Sequence, residues 1–171
     1  MLVRHAITEL SEMTAIKLRN LATLLVDVVD EGASIGFLPP LSHEEALAYW
    51  SSVMSDEVVL WIVEQNGETV GSVQLHLCQK ANGSHRAEIA KLMVHPKARR
   101  IGIARLLMNA AEDRAKLEDR SLLVLDTRAG DPSNLLYQSL GYVEAGRIPN
   151  YARSADGGFD DTIYYYKNVT L

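Results

Sequence analysis

Apolar residues along this chain recur with two periods, and the changes between them mark the elements. Leu10, Met13, Ile16, Leu18, Leu21, Leu24 and Leu25 fall at roughly helical spacing, so a helix capped by Thr8 or Ser11 is expected to run to about Asp27. Ahead of it, 2–6 reads as a short strand. Asp30 to Pro40 carries two glycines and a Pro-Pro pair and reads as a loop. Ser42 followed by Glu45 has capping-box spacing. It opens a helix holding Ala46, Leu47, Tyr49, Trp50 and Val53.

From Val58 the period shortens to that of strands. Val58 to Glu64 is rich in branched residues. Asn66-Gly67 then gives a hairpin signal, because both residues tolerate positive φ. The return strand covers Thr69 to about Leu77, a turn covers Ala81 to Ser84, and a third strand covers Ala87 to Val94. Pro96 stops that strand, since proline cannot donate to a ladder. Ile101 to about Leu117 is strongly amphipathic, with Ile103, Leu106, Leu107, Ala110, Ala111, Arg114 and Leu117 on or beside one stripe. Ser121 to Asp126 reads as a strand buried on both faces. Asp131 or Ser133 starts a helix through Leu140, with Gly141 at its left-handed cap. Tyr142 to Ala145 and Thr162 to Lys167 read as terminal strands around a Gly157-Gly158 turn. This order predicts one α/β domain over 1–171, with a mixed sheet and helices on both faces.

Composition narrows the function. The 171 residues suit a single core. A net charge of -5 argues against a nucleic-acid partner, which demands a basic face. No apolar run reaches membrane-spanning length and no signal peptide is recognisable, so a cytoplasmic protein is expected. The single cysteine, Cys78, excludes an intrachain disulfide and is expected to be a buried, inert thiol. Histidines 76, 85 and 95 form no compact ligand set with carboxylates, so no metal is expected. Trp50 and Trp61 are expected in the core. One face of the consecutive Tyr164, Tyr165 and Tyr166 is expected to border a cleft or a subunit contact.

Positive charge is concentrated where the third strand meets the long helix: Lys91, Lys97, Arg99, Arg100 and Arg105. Unpaired N–H groups at a helix start favour anions, Gly102 permits close backbone approach, and guanidinium groups suit phosphate. From the residues alone, a solvated basic turn is an equal alternative.

Arg99-Xxx-Xxx-Gly102-Xxx-Ala104, the preceding Ala90 to Val94 strand, Pro96, and Asn134-Xxx-Xxx-Tyr137 followed by Leu140-Gly141-Tyr142 resemble the GNAT superfamily of N-acetyltransferases. The resemblance covers about Val58 to Lys167. It implies a GNAT-like fold whose mixed, mostly antiparallel sheet has six or seven strands. It also implies direct acetyl transfer from acetyl-CoA to the primary amine of a small amino-acid-like molecule, in housekeeping or in resistance to a toxin or antibiotic. Leu92, Met93 and Val94 would bond the pantetheine arm, and an amide at Met93 or Val94 would face the oxyanion. Arg99, Arg100, Ile101, Gly102, Ile103, Ala104 and Arg105 would wrap the diphosphate. Asn134 and Tyr137 would lie near the sulfur. Glu88 would serve as water-mediated base, Asp126 as its helper or as an amine-binding anion, and Tyr137 as general acid. Glu31 to Leu38 and Arg147 to Phe159 would border the acceptor. Dimers are frequent in the family, so a homodimer is an expectation. Acetylation of a protein lysine or N-terminus, and a non-catalytic CoA-binding module, are the rival readings. Outside the resemblance, Glu88 and Asp126 read equally as ordinary strand carboxylates, and Tyr137 as a packed helix tyrosine.

Overall fold

The computed structural model describes residues 6–170, so the strand expected at 2–6 lies almost wholly outside the described residues. The described chain opens with β1 (Ile7–Glu9), an edge strand paired antiparallel with Trp61 to Val63. The helix after it, α1 (Ala15–Asp30), starts later than expected. Its cap is Thr14, whose side chain accepts from the Lys17 N–H at 3.3 Å, and neither Thr8 nor Ser11 fills that role. Leu10 and Met13 imitated a helical period. Leu10 in fact enters the core from an extended segment, its N–H bonded to the Leu60 carbonyl. The next helix, α2 (His43–Ser51), carries the expected reciprocal capping box of Ser42 and Glu45.

The strands β2 (Val58–Gln65) and β3 (Glu68–Leu77) form the Asn66-Gly67 hairpin, both turn residues having positive φ. They are followed by β4 (Arg86–Val94), α3 (Ile103–Leu117), β5 (Leu122–Arg128) and α4 (Ser133–Ser139). The chain ends in β6 (Val143–Arg153) and β7 (Phe159–Asn168). These last two are much longer than expected. The 146–153 stretch, which lies outside the expected strands, is strand in a bulged ladder that accommodates Pro149.

The seven strands form one sheet in the order β1-β2-β3-β4-β5-β7-β6, antiparallel except for the β4–β5 pair. Alternation along β2 sets its two faces. Val59, Trp61 and Val63 pack with α3, whereas Leu60 and Ile62 pack with α1 and α2. Both tryptophans are buried. Gly71 lets the start of α3 sit close to β3, because a Cβ there would lie 2.7 Å from the Ile103 side chain. Cys78 lies just past the end of β3 and is only half-buried, with Arg86 donating to its sulfur at 3.6 Å. The expected burial fails because the strand ends at Leu77, where the sheet meets solvent.

Candidate active site

The sheet opens at its centre. The parallel pairing of β4 with β5 covers only Arg86 to Glu88 against Leu122 to Val124. Beyond Glu88, β4 pairs only with β3, while β5 stays paired with β7 to Arg128. The facing edges of Ile89 to Val94 and Leu125 to Arg128 therefore carry no ladder between them, and backbone groups left unpaired inside a sheet call for a bonding ligand or water. A register shift opposite Ser72 to Gln74 gives β4 a bulge in which Lys91 takes φ 52°.

At the end of this opening lies the basic turn. Arg100 (φ 64°) and Gly102 (φ 89°) are both left-handed, and α3 begins at Ile103 with no side-chain cap. By contrast, α1 and α2 are capped by Thr14 and Ser42. The first amide of α3 to find a helical carbonyl is that of Leu106, bonded to Gly102 at 3.0 Å. The amides of residues 99–105 find no acceptor among the described residues, so the uncapped helix end faces the opening with its N–H groups free. The Arg99 Nε donates to the Val94 carbonyl at 3.1 Å and braces the turn, and Arg105 donates to Ser139 Oγ at 2.8 Å, tying it to α4.

The opening is a cleft of about 1040 Å³. It is lined by Glu88, Leu92, Met93, Val94, Arg99, Arg100, Gly102, Ile103, Ala104, Arg105, Asp126 and Tyr137, and by the 31–36 loop. A cleft of this volume, running from Glu88 to the turn at Gly102, has room for a sizeable ligand. Most of the residues picked from the sequence thus come together. Ile101 and Asn134 do not line the cleft. Ile101 leaves its side chain exposed and brings only its free amide to the turn.

Asn134, expected as a ligand contact, has its side chain engaged with the protein. Its amide donates to the Arg128 and Asp131 carbonyls at 2.9 and 2.8 Å, and its oxygen accepts from the Tyr165 hydroxyl at 2.8 Å. It is a structural latch that holds the start of α4 against β5 and β7. Its i, i+3 spacing with Tyr137 showed a shared helix face but not that this amide was already engaged. Asn134→Ala leaves these partners unbonded and is expected to cost about 1–3 kcal/mol, measured by urea denaturation, with loss of activity following loss of fold.

Glu88, Asp126 and Tyr137 also line the cleft. Glu88 is exposed in the cleft and has no hydrogen-bond or ion-pair partner among the described residues. Asp126 Oδ2 faces the Thr162 hydroxyl at 2.9 Å. Tyr137 is buried between the rings of Tyr142 and Tyr165, with centroids at 6.0 and 5.9 Å. Burial, reinforced by the negative charges of Asp126 and Asp131, pushes its hydroxyl well above the ordinary tyrosine range. Tyr164 bonds the Tyr151 hydroxyl at 2.9 Å and is pushed up to about 12, by that bond first and then by burial and Asp126.

Residues 26–142 match the model of the Acetyltransferase (GNAT) family. This chain belongs to that family. An uncharacterized N-acetyltransferase of Azospirillum brasilense is 32% identical over 114 residues, which cover 65% of this chain and 68% of the relative. A beta-lysine N(6)-acetyltransferase of Methanosarcina mazei is 31% identical over 84% of this chain, which spans only 51% of that protein. Among solved structures, the putative acetyltransferase yncA of Salmonella typhimurium, described with its cofactor acetyl-CoA, superposes with a TM-score of 0.78. It is 17% identical, and the match covers 97% of this chain and 94% of that one. The GNAT fold expected from the arginine–glycine turn is therefore the fold of this acetyltransferase, with its mixed sheet and helices on both faces.

This family member also holds functional candidates that its sequence concealed. Lys91 counted only as one of several local charges, because the bulge that turns it into the cleft depends on strand register. Thr162, 36 residues from Asp126, is brought to it by the β5–β7 ladder. No local motif signals either contact.

Proposed function

We propose that this GNAT protein transfers the acetyl group of acetyl-CoA directly to the primary amine of a small amino-acid-like molecule. The observation that carries the cofactor reading is the conjunction of an open β4 edge with an uncapped helix start. Both offer unpaired N–H groups along one cleft. Such an edge suits the amide-bearing arm of the cofactor, and free amides beside Arg100 suit its diphosphate.

The cofactor supplies an activated acetyl thioester. The protein's part is to bind, orient and move protons. Glu88, bearing no competing partner, takes the proton from the ammonium form of the acceptor, directly or through water. Asp126 lies across the opening and holds positive charge. Tyr137, kept protonated by its surroundings, serves the departing sulfur as a hydrogen-bond or proton donor. The amine's lone pair forms the new N–C bond as the C–S bond breaks. Having given its ammonium proton to Glu88, the nitrogen loses a second proton on becoming an amide, and that second proton balances the one gained by sulfur, so one proton is released per turnover.

The acceptor class rests on two supports. The Methanosarcina relative is named for an amino-acid substrate. In addition, Leu77 to Lys80, Arg86 to Glu88, Lys91 to Val94 and Leu125 to Thr127 resemble the tabtoxin-resistance acetyltransferase, whose substrate is an amino-acid-like β-lactam. A thiol-release screen over free amino acids, polyamines, aminoglycosides, β-lactam amino acids and lysine peptides tests the reading. Amine-dependent release with a free amino acid or its β-lactam analogue is expected. Release confined to peptides would assign a protein substrate, and release independent of every amine would overturn acetyl transfer.

Replacing Glu88 with Gln is expected to lower kcat/KM by roughly 10²-fold at neutral pH. The deficit should shrink as pH rises, because a growing share of the amine is then already neutral. A deficit constant across the pH range would remove Glu88 as the base.

A further inference from the structure

Beside Glu88 and Asp126 the cleft holds one cation that makes no ion pair among the described residues. Five basic residues line the cleft: Lys91, Arg99, Arg100, Arg105 and Arg128. The first three arginines belong to the phosphate turn, and Arg128 is paired with Asp131 at 2.9 Å and Asp160 at 3.6 Å. Lys91 makes no ion pair among the described residues. Its ammonium gives one hydrogen bond, to the Ile35 carbonyl of the 31–36 loop at 2.5 Å. Two of its three N–H donors remain available.

The surroundings fix where this ammonium sits. It lies over the rings of Phe37 and Tyr49, 5.6 and 5.9 Å from their centroids. It is 2.9 Å from where a side chain at Gly36 would begin, so the loop closes directly on it. Burial pushes Lys91 down, while Asp126 and then Glu88 hold it up, so the same two carboxylates proposed to handle the amine lie within its electrostatic reach. The wall that carries Lys91 therefore presents a cation within electrostatic reach of two anions. A simple diamine would meet this wall with like charge at Lys91 and nothing for the two spare donors. A zwitterion matches it.

We infer that Lys91 is the acceptor-specificity residue of this enzyme, binding the carboxylate of an amino-acid substrate while its amine faces Glu88 and Asp126. This rests on the acetyltransferase reading above and adds the demand that the acceptor carry a carboxylate.

The test compares matched acceptors: L-lysine with 1,5-diaminopentane, and L-ornithine with 1,4-diaminobutane, each pair differing by the carboxylate. Thiol release is measured for wild type, Lys91→Met and Lys91→Arg. The readout is the ratio of kcat/KM for each amino acid to that for its decarboxylated twin, which does not change if part of a variant sample is misfolded. Wild type is expected to favour the amino acid by at least about tenfold, the worth of one charge-assisted hydrogen bond. Lys91→Met should bring the ratio close to one, chiefly through KM for the amino acid, and Lys91→Arg should restore part of it. A wild-type ratio near one, or one that Lys91→Met leaves intact, overturns the assignment. Acetylation of the diamines or of a lysine peptide alone also overturns it, while leaving acetyl transfer standing. Amine-independent thiol release throughout overturns both.

Discussion

Gly102→Glu is expected to weaken acetyl-CoA binding on the order of 100-fold while leaving a folded protein. Gly102 sits at φ 89° immediately before α3. Any side chain there pays a conformational penalty of about 1–2 kcal/mol, but its Cβ would meet nothing within 4 Å. The fold therefore suffers strain without a clash. The ligand loses more. The amides of residues 99–105 have no protein acceptor among the described residues, and a carboxylate at position 102 would compete for them and repel a diphosphate. Two lost charge-assisted hydrogen bonds, at about 1.5–3 kcal/mol each, correspond to roughly 100-fold or more. Gly102→Ala separates the causes, since it carries the strain without the charge and should weaken binding only several-fold. Isothermal titration gives the affinities, and thermal unfolding shows that both variants fold. Equal affinity of Gly102→Glu and wild type would mean that the diphosphate does not use this turn.

The position of that turn was legible because its signals are local: a strand end, a proline, arginines, a glycine and an amphipathic helix follow one another within a short stretch. The capping box, the Asn66-Gly67 hairpin and the α3 stripe were legible for the same reason. What the sequence hid is set by pairing between distant segments. The bulge at Lys91 arises from the register of β4 against β3. The length of β6 and β7 arises from a ladder that tolerates Pro149 and bulges, and local propensity marked only its ends. The late start of α1 has a similar origin, because β1 claims Ile7 to Glu9 for the sheet edge. Asn134 shows the limit most clearly. Its spacing from Tyr137 was right for a shared helix face, yet three bonds to β5, β7 and the preceding turn make it a support of the cleft rather than part of its wall.

Tyr137→Phe should lower kcat on the order of 100-fold, the scale of a general acid, with cofactor affinity nearly unchanged. The substitution is clean for a structural reason. The Tyr137 hydroxyl has no hydrogen-bond partner among the described residues, while its ring is held by Tyr142 and Tyr165, contacts that phenylalanine keeps. No hydrogen bond is lost and no cavity larger than one oxygen forms, so the melting temperature should hold or rise slightly. Linkage adds a second signature. In the fold this hydroxyl is raised above its unfolded value of about 10, so the folded state keeps a proton that the unfolded state releases. Its contribution to stability is complete below about pH 10 and declines above it. Tyr137→Phe should therefore lose less stability than wild type on going from pH 8 to pH 11. If the variant turned over at the wild-type rate with this alkaline signature present, the tyrosine would be a buried ring without a part in acetyl transfer. A fall in kcat without a change in cofactor binding is the result expected of a donor to the departing sulfur, since such a contact strengthens only as charge develops there.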